Sequence, residues 1–94
     1  NAIRSLHRGE FATARTALDG ARQEVANITT ALSPHPDLYF AGYVQDAHKE
    51  LAEAECLFAI MQDLPLPAPA DLALETAAYL NGLAEAASEG RRYA

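Results

Sequence analysis

The chain has 94 residues, half of them apolar, with a single cysteine and a net charge of -6 at pH 7. This is enough for one domain or part of one. It excludes an internal disulfide, offers no run of about 20 apolar residues to cross a bilayer, and gives no overall electrostatic drive toward nucleic acid or an anionic membrane. No signal-peptide pattern is visible, so a cytoplasmic protein without a membrane partner is expected. The first residue is Asn1, and Arg91-Arg92-Tyr93-Ala94 carries no helix stop signal. We expect residues 1–94 to be a single helical domain cut from a longer protein at both ends.

Taken in order, Ile3 and Leu6 stand at helical spacing in residues 1–8, and Gly9 is placed to break or bend that helix. From Glu10 the apolar positions Phe11, Ala14, Leu18, Ala21, Val25, Ile28 and Leu32 alternate by three and four, which predicts an amphipathic helix over 10–32. Arg15, Asp19, Arg22 and Gln23 fall off that seam and read as a solvated face. Asn27-Ile28-Thr29 fits a glycosylation sequon, but within a helical pattern we treat it as chance. Ser33-Pro34-His35-Pro36 ends the helix, and Asp37 is a good cap for the next. A second seam follows over 37–62: Phe40, Val44, Ala47, Leu51, Ala54, Phe58 and Met61. A link this short predicts an antiparallel hairpin with the two seams face to face. Glu at Ala47 is then expected to destabilise strongly, and Gly42 to allow close approach.

Residues 64–70 form a proline-rich connector, with Leu64 and Leu66 available to pin it to the core. Thr76 is a candidate cap for a last helix over 76–93. The reading is all-α, an antiparallel helical bundle. Cys56, on the apolar side of the central helix, reads as a buried structural thiol. His7, His35 and His48 read as surface or capping residues, and Glu55 and Glu75 as surface.

Beside the central seam runs a second stripe, apolar at its ends and acidic in the middle, where Glu50 and Glu53 stand three apart on one face. Glu85 and Glu89 stand four apart on the last helix. If these faces meet, four carboxylates converge. Such a donor set suits Mg²⁺ or Mn²⁺, which polarises a phosphoryl oxygen and activates water for attack on a phosphodiester. The bland alternative is a solvated acidic face, where like charges one turn apart cost only about 0.2–0.5 kcal/mol.

Leu6-His7-Arg8-Gly9-Glu10-Phe11, Tyr39-x-x-Gly42-Tyr43-Val44-x-Asp46-Ala47-x-Lys49-Glu50, Glu50-x-x-Glu53-Ala54-Glu55 and Tyr79-Leu80-x-Gly82-Leu83-Ala84-Glu85-x-x-x-Glu89-x-Arg91-Arg92 resemble the translin superfamily, in particular its archaeal-type prokaryotic members. The resemblance covers nearly the whole chain. It implies a translin-like all-helical subunit, a homo-oligomer assembled as a hollow octamer, and single-stranded RNA or DNA as partner. Its TRAX-type subunits are Mg²⁺-dependent endoribonucleases. Carried onto this chain, their catalytic and metal-binding acids fall on Glu50, Glu53, Glu85 and Glu89. Glu85 stands where the eukaryotic enzymes carry Asp, which adds a methylene at that position. The candidate phosphate contacts are Arg91 and Arg92, then Arg8 and Arg4. Three readings follow: a metal-dependent endoribonuclease acting on single-stranded RNA, a non-catalytic single-stranded RNA- or DNA-binding subunit, or a helical scaffold with solvated acids and no nucleic-acid role.

Overall fold

A computed structural model describes residues 2–39 and 42–92, the side chains of Leu38, Tyr39 and Arg92 excepted. They form six helical segments: α1 (Ala2–His7), α2 (Phe11–Leu32), α3 (Pro36–Tyr39), α4 (Tyr43–Met61), α5 (Pro69–Leu72) and α6 (Thr76–Arg92). No strand occurs among the described residues. The protein is all-α, and the predicted boundaries of the three long helices hold to within a few residues except at the start of the central one.

That exception has a local cause. Gly42 has φ 98°, a left-handed geometry that breaks the helix expected to run unbroken from 37. Pro36 heads the short α3, a position where its missing N–H costs nothing. Gly42 therefore serves as a joint and not as a point of close approach; a β-carbon there would meet nothing within 4 Å. Gly9, at φ 75°, makes the equivalent joint between α1 and α2. Phe40, the first residue of the expected second seam, lies outside the described residues.

The central helix α4 buries ten residues, from Val44 to Ala59. It lies between α2 and α6, inside a body 41 × 23 × 19 Å. The α2–α4 pair is antiparallel, as expected. Phe11, at the start of α2, meets Phe58 near the end of α4, edge to face with ring centroids 6.4 Å apart. Thr29, late in α2, meets His48, early in α4. The two seams face one another only in part, however. On α2, Ala14 and Leu18 are buried, while Ala21, Val25 and Ile28 stay partly open. Ala47 lies in this open stretch and not at a closed helix contact, which corrects the strong effect expected of a charge there.

The α4–α6 pair departs from the antiparallel expectation. His48 lies by Glu75, Gly82 by the backbone of Lys49 and Glu53, and Gly90 by Ile60, so α6 runs in the same direction as α4. Parallel neighbours need a connection that returns along their length, and residues 62–75 supply it. The leucines do not pin this connector: Leu64 and Leu66 are about half exposed, at 50% and 47%. It is held instead by the Tyr79 hydroxyl, which donates to the Pro67 carbonyl at 2.6 Å, by Arg22 donating to the Asp71 carbonyl, and by buried Leu72 and Leu74.

Candidate carboxylate site between α4 and α6

Gly82 sets the site. A β-carbon there would lie 2.5 Å from the Lys49 carbonyl oxygen and 2.8 Å from the Glu53 nitrogen. Only a glycine lets the two backbones come this close. The next turn of α6 then places Glu85 beside Glu53, and one turn further Glu89 joins them.

Glu53 is half-buried, and its carboxyl pKa is pushed up to about 7. Desolvation is the main cause, followed by a hydrogen bond with the Glu85 carboxyl and the charges of Glu85 and Glu89; Lys49 opposes them. A hydrogen bond between two carboxyl groups requires a proton on one of them. Two basic side chains border the group: Lys49 Nζ lies 3.4 Å from Glu85 Oε1, and His7 Nε2 lies 3.6 Å from Glu89 Oε2.

Glu50 is exposed and lines the groove between α2 and α4. Three residues on a helix amount to about 60° of rotation away from Glu53, enough to turn one carboxylate toward α2 and the other toward α6. The structure thus brings together Glu53, Glu85 and Glu89 and sets Glu50 apart. Among the described residues, no group of three or more His, Cys, Asp or Glu side chains is arranged to hold a metal ion as it stands.

No family model, curated protein or solved structure matches this chain.

The candidate phosphate-binding arginines lie in the two chain segments that the His7–Glu89 contact joins. The His7–Glu89 contact brings the end of α1 beside the last turns of α6. Arg8 adjoins His7 and forms an exposed pair with Glu10, Nη1 to Oε1 3.8 Å. Arg4 stands one turn earlier on α1, and Arg91 is exposed two residues after Glu89. The side chain of Arg92 lies outside the described residues.

Two groups read as surface from the sequence are built into the interior. Glu55 is 4% exposed, and Arg15 grips both its oxygens, Nη2 to Oε1 at 2.7 Å and to Oε2 at 3.1 Å. Arg15 also pairs with Asp19 at 2.9 Å and lies over the Phe58 ring, 5.0 Å from its centroid. The signal was present in the register. With Phe11 opposite Phe58 in an antiparallel pair, the residue one turn after Phe11 meets the residue one turn before Phe58.

His48, expected at the surface, is 2% exposed. Its Nδ1 accepts from the Glu75 N–H at 3.1 Å, just ahead of α6. A neutral imidazole with Nδ1 accepting carries its proton on Nε2. That N–H donates to Thr29 Oγ1 at 2.9 Å, and Thr29 donates to the Val25 carbonyl at 2.7 Å. One histidine thus links α2, α4 and the start of α6. Burial pushes its pKa down, with the Glu75 charge opposing. Thr76, the expected cap, is instead the first helical residue. Cys56 is buried, as expected, and burial pushes its thiol pKa up.

As for the membrane, no helix among the described residues is long and apolar enough to cross one.

Proposed function

We propose that this chain is a translin/TRAX-like endoribonuclease subunit acting on single-stranded RNA, with Glu53, Glu85 and Glu89 holding a divalent cation. The observation that carries the reading is the convergence of Glu53, Glu85 and Glu89 at the close α4–α6 contact that Gly82 allows, where the Glu53 carboxyl pKa is pushed up to about 7. Carboxylates forced together on facing helices are a donor set of the hard, oxygen-rich kind that Mg²⁺ and Mn²⁺ take. A cation held there would offset the desolvation and the neighbouring negative charges that raise the Glu53 pKa. When bound, Mg²⁺ supplies Lewis-acid polarisation of a phosphodiester. The chain's own residues bind and orient: Lys49 holds Glu85, His7 holds Glu89, and Arg8, next to His7, is the candidate phosphate contact on the α1 side. Glu50 has no role in this arrangement.

The test is a Mg²⁺ and Mn²⁺ titration with an end-labelled single-stranded RNA, comparing wild type with Glu53→Gln and Glu85→Gln. The expected result is metal-dependent cleavage lost in both variants, with protons released as metal binds. RNA binding without cleavage, weakening steeply with salt, identifies the non-catalytic nucleic-acid-binding subunit instead. The Lys49–Glu85 and His7–Glu89 pairs favour a second reading, in which the acids form an interhelical clasp in a scaffold with no nucleic-acid role. Absence of both binding and cleavage, with the variants as stable as wild type, selects it.

A further inference from the structure

We propose that the groove between α2 and α4 is a docking site for a basic amphipathic helix of a partner protein. The groove encloses about 500 Å³. Ala21, Val25 and Ile28 of α2 and Ala47 and Leu51 of α4 line it, and Ile3 of α1 closes one end. Of these, Ala21, Val25, Ile28 and Ala47 are seam positions that the α2–α4 contact leaves partly open, and buried Leu51 forms the floor. Along α2 the lining runs from Ala17 to Ile28, about 16 Å or three helical turns at 1.5 Å per residue.

Shape and charge together select the occupant. Gly20, Ala17 and Ala21 keep the α2 wall low, and a β-carbon at Gly20 would meet nothing within 4 Å. A helix can therefore settle onto this wall with its apolar stripe inward, as helices do in grooves between other helices. An extended peptide finds no sheet edge here to hydrogen-bond with. The rims are acidic on both sides: Glu24 on α2 and Glu50 on α4 line the same groove and are exposed. A helix carrying Lys or Arg on both flanks of its stripe meets a carboxylate at each bank, its side-chain stems lying along apolar surface. A second copy of this chain, with net charge -6, would set the same carboxylates against each other across a two-fold axis. The groove lies on the α2 side of α4 and its test does not depend on metal or nuclease activity.

The experiment uses two synthetic helical peptides of about 18 residues. They share one Leu/Ala stripe at i, i+3, i+4 and i+7; one carries Lys on its flanks and the other Glu. Binding to the whole chain is read by fluorescence anisotropy. The Lys peptide is expected to bind at least about tenfold more tightly than the Glu peptide. Glu24→Lys with Glu50→Lys, both at exposed positions, is expected to reverse that preference with the circular dichroism unchanged. Gly20→Leu, which fills open space on the α2 wall, is expected to weaken the Lys peptide without lowering the melting temperature. Equal binding of the two peptides overturns the proposal, as does binding of neither. Dimerisation in sedimentation velocity that Gly20→Leu abolishes makes a second copy the occupant and also overturns it.

Discussion

On its α6 side, α4 meets Gly82 so closely that a single added carbon would strike the Lys49 carbonyl and the Glu53 amide. On its α2 side, the same helix leaves an open groove, and the two helices are joined by the Phe11–Phe58 and Arg15–Glu55 pairs toward one end and by Thr29 and His48 toward the other. One contact is set by backbone proximity, the other by a few long side chains at its ends. The lesson is about tolerance: the first has no slack, and the second has room for another molecule.

The sharpest way to break the comparison is Gly82→Ala. Helix propensity alone favours Ala by about 0.5–1 kcal/mol. The backbone clash should outweigh this and cost about 3 kcal/mol net, a fall of about 12 °C or more in melting temperature for a domain of this size. An unchanged melting temperature would show that α4 and α6 are not in backbone contact.

Next is Arg15→Ala, which leaves Glu55 buried with no counter-charge. Uncompensated buried charges cost about 3–5 kcal/mol. Arg15 is 36% exposed, so water can partly replace it, and about 2 kcal/mol is expected by denaturant unfolding. A loss below about 0.5 kcal/mol would place Glu55 in solvent.

The two sides of α4 should also respond oppositely to pH. His48 has its folded pKa below the unfolded value of 6.5, so its contribution is present above pH 6.5 and is lost as pH falls through the folded value. Glu53 has its folded pKa raised from 4.5 to about 7. Its contribution is full below pH 4.5 and is lost as pH rises toward 7. Solvent access to Glu53 screens that effect to about 1 kcal/mol. Glu53→Gln should therefore match wild type at pH 4.5 and exceed it in stability near pH 7.5, measured as unfolding free energy across that range. Parallel curves would mean that Glu53 is not coupled to Glu85 and Glu89.

Smaller still is Ala47→Glu. At the edge of the open groove its carboxylate can reach water, so a loss of about 0.5–1 kcal/mol is expected, from repulsion by Glu50 one turn away and the lower helix propensity of Glu. A change of similar size has the opposite sign. Gly20→Ala adds a β-carbon into open space within α2 and should stabilise by about 0.5–1 kcal/mol. If Gly20→Ala destabilises as Gly82→Ala does, the two faces of α4 are packed alike and the comparison fails.

Local sequence carries the helices and their limits, apart from the start of α4 at Gly42. Apolar spacing of three and four, the two proline clusters and Gly9 set the long elements to within a few residues, because amphipathic periodicity and the loss of a backbone donor act locally. The close approach at Gly82 was legible too, since Gly82 and Ala86 share a side of α6 with the acids. The direction of α6 is set by long-range contacts. A connector of extended proline residues is compatible with either orientation, and which one occurs depends on where Tyr79, Arg22 and His48 find their partners. Burial of Glu55 and His48 was likewise invisible from one helix alone. A carboxylate beside a seam is solvated or buried according to what the facing helix brings, and here α2 brings Arg15 and Thr29. The separation of Glu50 from Glu53 has the same origin: a rotation of about 60° matters only once two different helices cover the two sides of α4.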